Sequence, residues 1–140
     1  MKDSKYFVDT NIFLRVLVRD EEKSFHECAQ FLQKIRSGRI CGTTSTVVLA
    51  EIVWTLLHFY HFSKPRAIEG LRSILQLKNL TIEDNTQLTL AVELYENQSI
   101  KFVDALIASH PLIQNKQIIV ISYDRDFDKL GVARKEPGQV

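Results

Sequence analysis

The segment from Lys5 to Val18 reads KYFVDTNIFLRVLV, and its interpretation decides the fold. Lys5–Val8 is short and apolar, which predicts a buried strand. Asp9-Thr10 then offers a helix cap, and NIFLRVLV predicts the helix that follows. The clearest second strand is Ile118–Ile121, IIVI, which runs into the turn Ser122-Tyr123-Asp124-Arg125-Asp126. Strands that are apolar throughout need cover on both faces, and parallel sheets provide it.

Helices and strands alternate outward from these two segments. Phe25, Cys28, Ala29, Phe31, Leu32 and Ile35 follow a helical period that Gly38 closes. Arg39–Thr43 predicts a short strand, and Thr44 or Ser45 caps a long helix through VVLAEIVWTLLH. Ser63 and Pro65 open another helix carrying Ile68, Leu71, Arg72 and Leu75. Leu80–Ile82 is a weak strand, and Leu88, Ala91, Leu94 and Tyr95 mark a helix. Ser99 is a cap candidate for IKFVDALIASH, where Pro111 predicts a kink or an early end. A short last helix ends near Gly131, and Val132–Lys135 predicts an edge strand. The expectation is an α/β protein, a three-layer α/β/α sandwich with a mostly parallel central sheet, formed by residues 1–140 as a single domain.

Composition narrows the class. The chain is 45% hydrophobic and 25% charged, ordinary for a soluble globular protein. Eighteen basic residues against 17 acidic give a formal charge of +1, so any nucleic-acid contact must rest on a local patch. Cys28 and Cys41 fall on a helix and a strand pattern, which predicts buried reduced thiols. MKDSKYFVDT holds no apolar run of leader length. Glu51, Thr55 and His58 break the longest apolar run before it reaches the roughly 18 residues of a membrane span. A cytoplasmic protein is expected.

In open α/β sheets, ligands bind beyond the carboxyl ends of the strands. Asp9 follows KYFV there, and Asp124 follows IIVIS. Asp104 sits early in the apolar FVDALIA, and Glu51 lies in the middle of VVLAEIVW. Each has a plain alternative. Asp9 serves as a helix cap, Asp124 or Asp126 as turn residues, and Asp104 as a first-turn acid facing the helix dipole. Glu51, Thr55 and His58 also read as one solvent-facing stripe. Taken together the alternatives weaken, because four acids in apolar surroundings do not gather as bare anions. A shared hard cation resolves the conflict, and an all-oxygen set suits Mg²⁺ or Mn²⁺. Zinc spacing, a P-loop, a dinucleotide fingerprint and a G-x-S-x-G elbow are all absent from the sequence. Arg15 and Arg19, four and eight residues after Asn11 and so on its helix face, are candidates for a local patch that contacts the phosphates of a nucleic acid.

The order and context of VDTNIFLR, LAEIVW, FVDALIAS and ISYDRDF resemble the PIN-domain ribonucleases, in particular the VapC-like toxins of type II toxin–antitoxin pairs. The resemblance covers essentially the whole chain. It implies a parallel sheet between helices, and acids that bind Mg²⁺ or Mn²⁺ for RNA cleavage. It implies an acidic site of Asp9, Glu51, Asp104 and Asp124, with Asp126 as a further metal ligand. Asn11 and Ser122 match supporting positions. It also implies an RNA substrate, a homodimer and a cognate antitoxin, for which the long apolar WTLLHFYHF is one candidate surface. Pro111 and Tyr123 depart from the family pattern. Tyr123 stands where it narrows the entrance or stacks on a base.

Three rivals share parts of this pattern. A haloacid-dehalogenase-like phosphomonoesterase needs a second Asp two residues after the first, where this chain has Asn11. A receiver-type signalling domain needs a Lys after a late strand, where this chain has Ser122-Tyr123. A PIN-fold protein with an RNA-processing or scaffold role but no toxin role differs only in what surrounds the same acids.

Overall fold

A computed structural model describes residues 5–140. Residues 1–4, which belong to the expected 1–140 domain and to the leader reading, lie outside the described residues.

Strand β1 (Lys5–Val8) leads directly into α1 (Thr10–Val18), and α2 (Glu22–Arg36) precedes β2 (Cys41–Thr44). Helices α3 (Thr46–His58) and α4 (Lys64–Leu75) follow, then β3 (Leu80–Ile82) and α5 (Leu88–Asn97). Next come α6 (Phe102–Ala108), α7 (Pro111–Gln114), β4 (Ile118–Ile121), a 3-10 helix (Arg125–Leu130) and β5 (Arg134–Lys135). The five strands run in the order β3-β2-β1-β4-β5, and every pairing is parallel. The expected mostly parallel sheet is therefore parallel throughout. One group of helices packs through α1–α2, α1–α3 and α3–α4, and a second through α5–α6 and α6–α7. They form the outer layers of the α/β/α sandwich.

The order of the strands creates the site. From the central β1 the chain builds outward to β2 and β3, then crosses back to place β4 on the other side of β1. The order reverses between β1 and β4, and in open α/β sheets ligands bind beyond the carboxyl ends of the strands at such a reversal. The register Val8–Ile121 sets Asp9 beside Ser122, and the Asp9 amide donates to the Ile121 carbonyl at 3.1 Å. Phe7, Val8, Ile12, Phe13, Val120, Ile121 and Phe127 are buried beneath this edge. Each stabilises the fold by roughly 1.5–3 kcal/mol relative to an exposed side chain, which makes the platform rigid. Gly42 in β2 serves close packing: a Cβ there would lie 2.6 Å from Ile35 Cδ1 of α2.

Local expectations shifted where side chains found other partners. Ser45 occupies the cap position of α3, but its hydroxyl makes no hydrogen bond. Asp84, distant in sequence, accepts instead from the amide and hydroxyl of Thr46, both at 2.9 Å. Pro111 ends α6 early, as expected, and opens the separate α7 at its first turn. The cap of α6 is Lys101 rather than Ser99, and the last helix is 3-10. The edge strand contracts to Arg134–Lys135. Both cysteines are free. Cys28 is buried, but Cys41 is only partly so, because β2 begins near the open end of the sheet.

Candidate active site

Asp9 is both a helix cap and the centre of a buried polar network. Its Oδ1 accepts from the Thr10 amide at 2.8 Å. Its Oδ2 accepts from the Ser122 hydroxyl at 2.7 Å and from Asn11 Nδ2 at 3.3 Å. Ser122 Oγ in turn accepts from Asn11 Nδ2 and from the Asp124 amide, both at 3.0 Å. The β1 and β4 ends are thus tied together, and the turn carrying Asp124 is fixed. Asp124 caps the 3-10 helix by accepting from the Asp126 amide at 2.9 Å.

Asp104 arrives from the first turn of α6 and is buried. Its Oδ2 has no hydrogen-bond partner. One carboxylate oxygen from each of Asp104, Asp124 and Asp126 lies within 4.8 Å of the others. Glu51, in the middle of α3, is only 19% exposed at its side chain. Thr10 Oγ1 donates to its Oε1, and Lys101 Nζ stands 3.3 Å from its Oε2. The fold therefore brings Asp9, Asp104, Asp124, Asp126 and Glu51 to one edge, with the tight triplet on the α6 side.

The protein supplies Asp9 with neutral donors only. Burial pushes its carboxyl up to about 6, against the pull of the Ser122 and Thr10 hydrogen bonds. Burial, then the nearby Asp9 charge, pushes Asp104 up to about 7. Two buried acids with raised pKa values and an orphaned oxygen want either a proton or a cation. The donor set is carboxylate oxygen, which fits a hard divalent ion.

Arg15 and Arg19 are not brought to this edge. Arg15 faces Asp20 at 3.6 Å. Arg19 donates to both oxygens of Glu22 and lies over the Phe25 ring at 4.0 Å. Tyr123 also turns away from the role expected of it. Its hydroxyl donates to Glu27 Oε1 at 2.8 Å and touches Cys28 Sγ at 3.6 Å, which pins the turn to α2 instead of reaching toward the entrance. Burial raises the Cys28 thiol to about 11, so it stays unreactive.

Three neighbours of the acids escaped the sequence reading: Thr10, Lys101 and Lys129. Lys129 lies 3.1 Å from Asp126 and donates to the Ser99 carbonyl at 3.3 Å. A signal existed for Lys129, which stands three residues after Asp126, the spacing that brings helical neighbours together, but not for Lys101, whose partner Glu51 lies 50 residues away.

The sequence pattern of the PIN domain family matches residues 6–133. The chain belongs to the PIN domain family. PIN domains are nucleases, which places the protein among hydrolases acting on nucleic acid. Two solved structures share its fold. One is VapBC2 from Rickettsia felis bound to a DNA fragment from their promoter, at 19% identity and a TM-score of 0.64, covering 94% of this PIN domain chain and 98% of that one. The other is VapBC-1 from nontypeable Haemophilus influenzae, at 15% identity and a TM-score of 0.64, covering 95% and 98%. No curated protein matches the chain.

Proposed function

We propose that this PIN domain is a Mg²⁺- or Mn²⁺-dependent endoribonuclease and the toxin of a toxin–antitoxin pair. The gathering of Asp104, Asp124 and Asp126 oxygens within 4.8 Å of one another, with a buried Asp104 oxygen left unpartnered, carries this reading. Asp9, Glu51, Asp104, Asp124 and Asp126 would hold the cation. The chemistry such an ion would supply is polarisation of the scissile phosphate and activation of water as a nucleophile. The chain's own residues orient the site. Ser122 and Asn11 fix the Asp9 carboxylate, and the Asp9 and Asp124 caps hold their turns rigid. Thr10 fixes one Glu51 oxygen, and the other pairs with Lys101; once that ammonium moves away, this oxygen would take a proton from water.

The same reading includes a cognate antitoxin, a homodimer and residence in the cytoplasm. Trp54 and Phe59 of the WTLLHFYHF run are 61% and 68% exposed, which supports a partner surface on that side. Among the described residues no helix is long and apolar enough to cross a membrane. Asn11, tied to Asp9 and Ser122, disfavours the phosphomonoesterase, because no acid stands where that reaction needs one.

The deciding experiment incubates the protein with a mixed RNA pool and a phosphomonoester, in Mn²⁺, in Mg²⁺ and in chelator. Internal RNA cleavage confined to the metal arms is expected, and Glu51→Gln should keep the fold and lose most of it. Cleavage that persists equally in chelator, or turnover of the phosphomonoester alone, overturns the reading.

A further inference from the structure

Among the described residues Lys101 is the cation paired with Glu51, and its position differs in kind from that of Lys129. Lys129 is held twice, by Asp126 and by the Ser99 carbonyl. Among the described residues Lys101 is held only by Glu51 Oε2, and its side chain is 59% exposed while that of Glu51 is 19% exposed. Glu51 is fixed from below by Thr10, so the lysine is the movable member of the pair. Its ammonium rides on a flexible stem at the start of α6, at the mouth of the acidic edge. Asp104, Glu51 and Asp9 all attract it, enough to raise its pKa although burial works the other way.

We propose that Lys101 is the built-in counter-cation of the site. Its ammonium and a divalent ion are alternative partners for Glu51, and the displaced ammonium takes a phosphate oxygen of the RNA strand. The inference rests on the nuclease reading for its second half only. The first half concerns metal and protein alone. An exchange of this kind keeps the acids from repelling one another while the site waits. It then supplies a positive charge beside the cleaved bond, in a chain whose overall charge gives RNA little attraction.

Two measurements test it on the whole chain, with Lys101→Met, which keeps the apolar stem, and Lys101→Gln as a second neutral variant. Lys101→Arg serves as the charged control. In calorimetric Mn²⁺ titrations without RNA, both neutral variants should bind Mn²⁺ about fivefold more tightly than wild type, with Lys101→Arg near wild type. In cleavage at saturating Mn²⁺, the plot of log kcat/KM against log salt should be shallower by about 0.7 in the neutral variants, the share of one phosphate contact on a single strand. A lysine that only braces α6 would lower the melting temperature and leave both readouts unmoved. Unchanged Mn²⁺ affinity overturns the counter-cation, and an unchanged salt slope overturns the transfer to phosphate. If wild type cleaves no RNA, the nuclease reading falls together with the transfer, and the Mn²⁺ titration alone decides the counter-cation.

Discussion

The two ends of α1 both carry charge, and they use it in opposite ways. At the N-terminal end, Asp9 is buried among a serine, an asparagine and backbone amides, none of which can neutralise it. Its pKa is raised. At the C-terminal end, Arg15, Arg19, Asp20 and Glu22 lie nearer solvent and pair with one another. There the Arg19 hydrogen bond lowers the Glu22 pKa. The difference is one of satisfaction rather than of charge count. The exposed Arg19–Glu22 pair completes itself, although Arg15 beside it keeps a buried Nε without a hydrogen-bond partner among the described residues, while the buried Asp9 carboxylate receives only neutral donors.

Breaking the buried end should have the largest effect. Asp104→Asn removes the orphaned oxygen's charge, and RNA cleavage in Mn²⁺ should fall by at least about a hundredfold, the upper range for losing even the supporting shell of a metal. The stabilisation of the fold by Mn²⁺, read as a melting shift, should shrink with it. A variant that keeps both cleavage and the metal shift would remove Asp104 from the site.

The pH dependence of stability sharpens the contrast. Asp9 and Asp104 have folded pKa values of about 6 and about 7 against an ordinary value of 3.8. Between these limits the folded chain binds protons that the unfolded chain has released, so stability must fall as pH rises. The contribution is fully present below about pH 4 and lost as pH passes through 6 to 7. His110, whose pKa burial lowers, works in the opposite direction below its ordinary 6.5, and it does so in any variant of the two acids. In chelator, the melting temperature of wild type minus that of Asp104→Asn should therefore drop by roughly 5 °C from pH 5 to pH 8. A difference that stays flat with pH would mean that Asp104 titrates as an ordinary acid.

Asp9→Asn isolates the cap from the charge. Asn caps a helix about as well as Asp, so the cap survives while the buried charge goes. In chelator at neutral pH the variant should be more stable by about 1 kcal/mol, the scale of one pKa unit, and Mn²⁺ should stabilise it much less than wild type. Melts of both proteins with and without Mn²⁺ read this directly. An unchanged metal shift would return Asp9 to a purely structural role.

The smallest effect should come from the other end of α1. Arg19→Ala removes an exposed ion pair and a cation–π contact with Phe25, so the melting temperature should barely move. RNA cleavage should stay within about twofold of wild type, because the guanidinium is occupied away from the acids. A larger loss of cleavage would show that Arg19 leaves Glu22 for RNA.

The sequence by itself determined the layered α/β architecture, because KYFV and IIVI are apolar on both faces and a strand of that kind must be covered twice. It also marked the acids, since Asp9, Glu51, Asp104 and Asp124 each interrupt apolar sequence where a bare charge is costly. Tertiary structure decided their partners. Whether Ser45 or the distant Asp84 caps α3, and whether Tyr123 faces the entrance or α2, depends on contacts between residues far apart in sequence. Spacing along α1 left Arg15 and Arg19 equally able to face RNA or their neighbours, and the fold pairs them with Asp20 and Glu22. Lys101 gained its place only when the fold brought the start of α6 within reach of Glu51, because a lysine's role is set by which carboxylate comes within reach of its long stem, and periodicity carries no record of that.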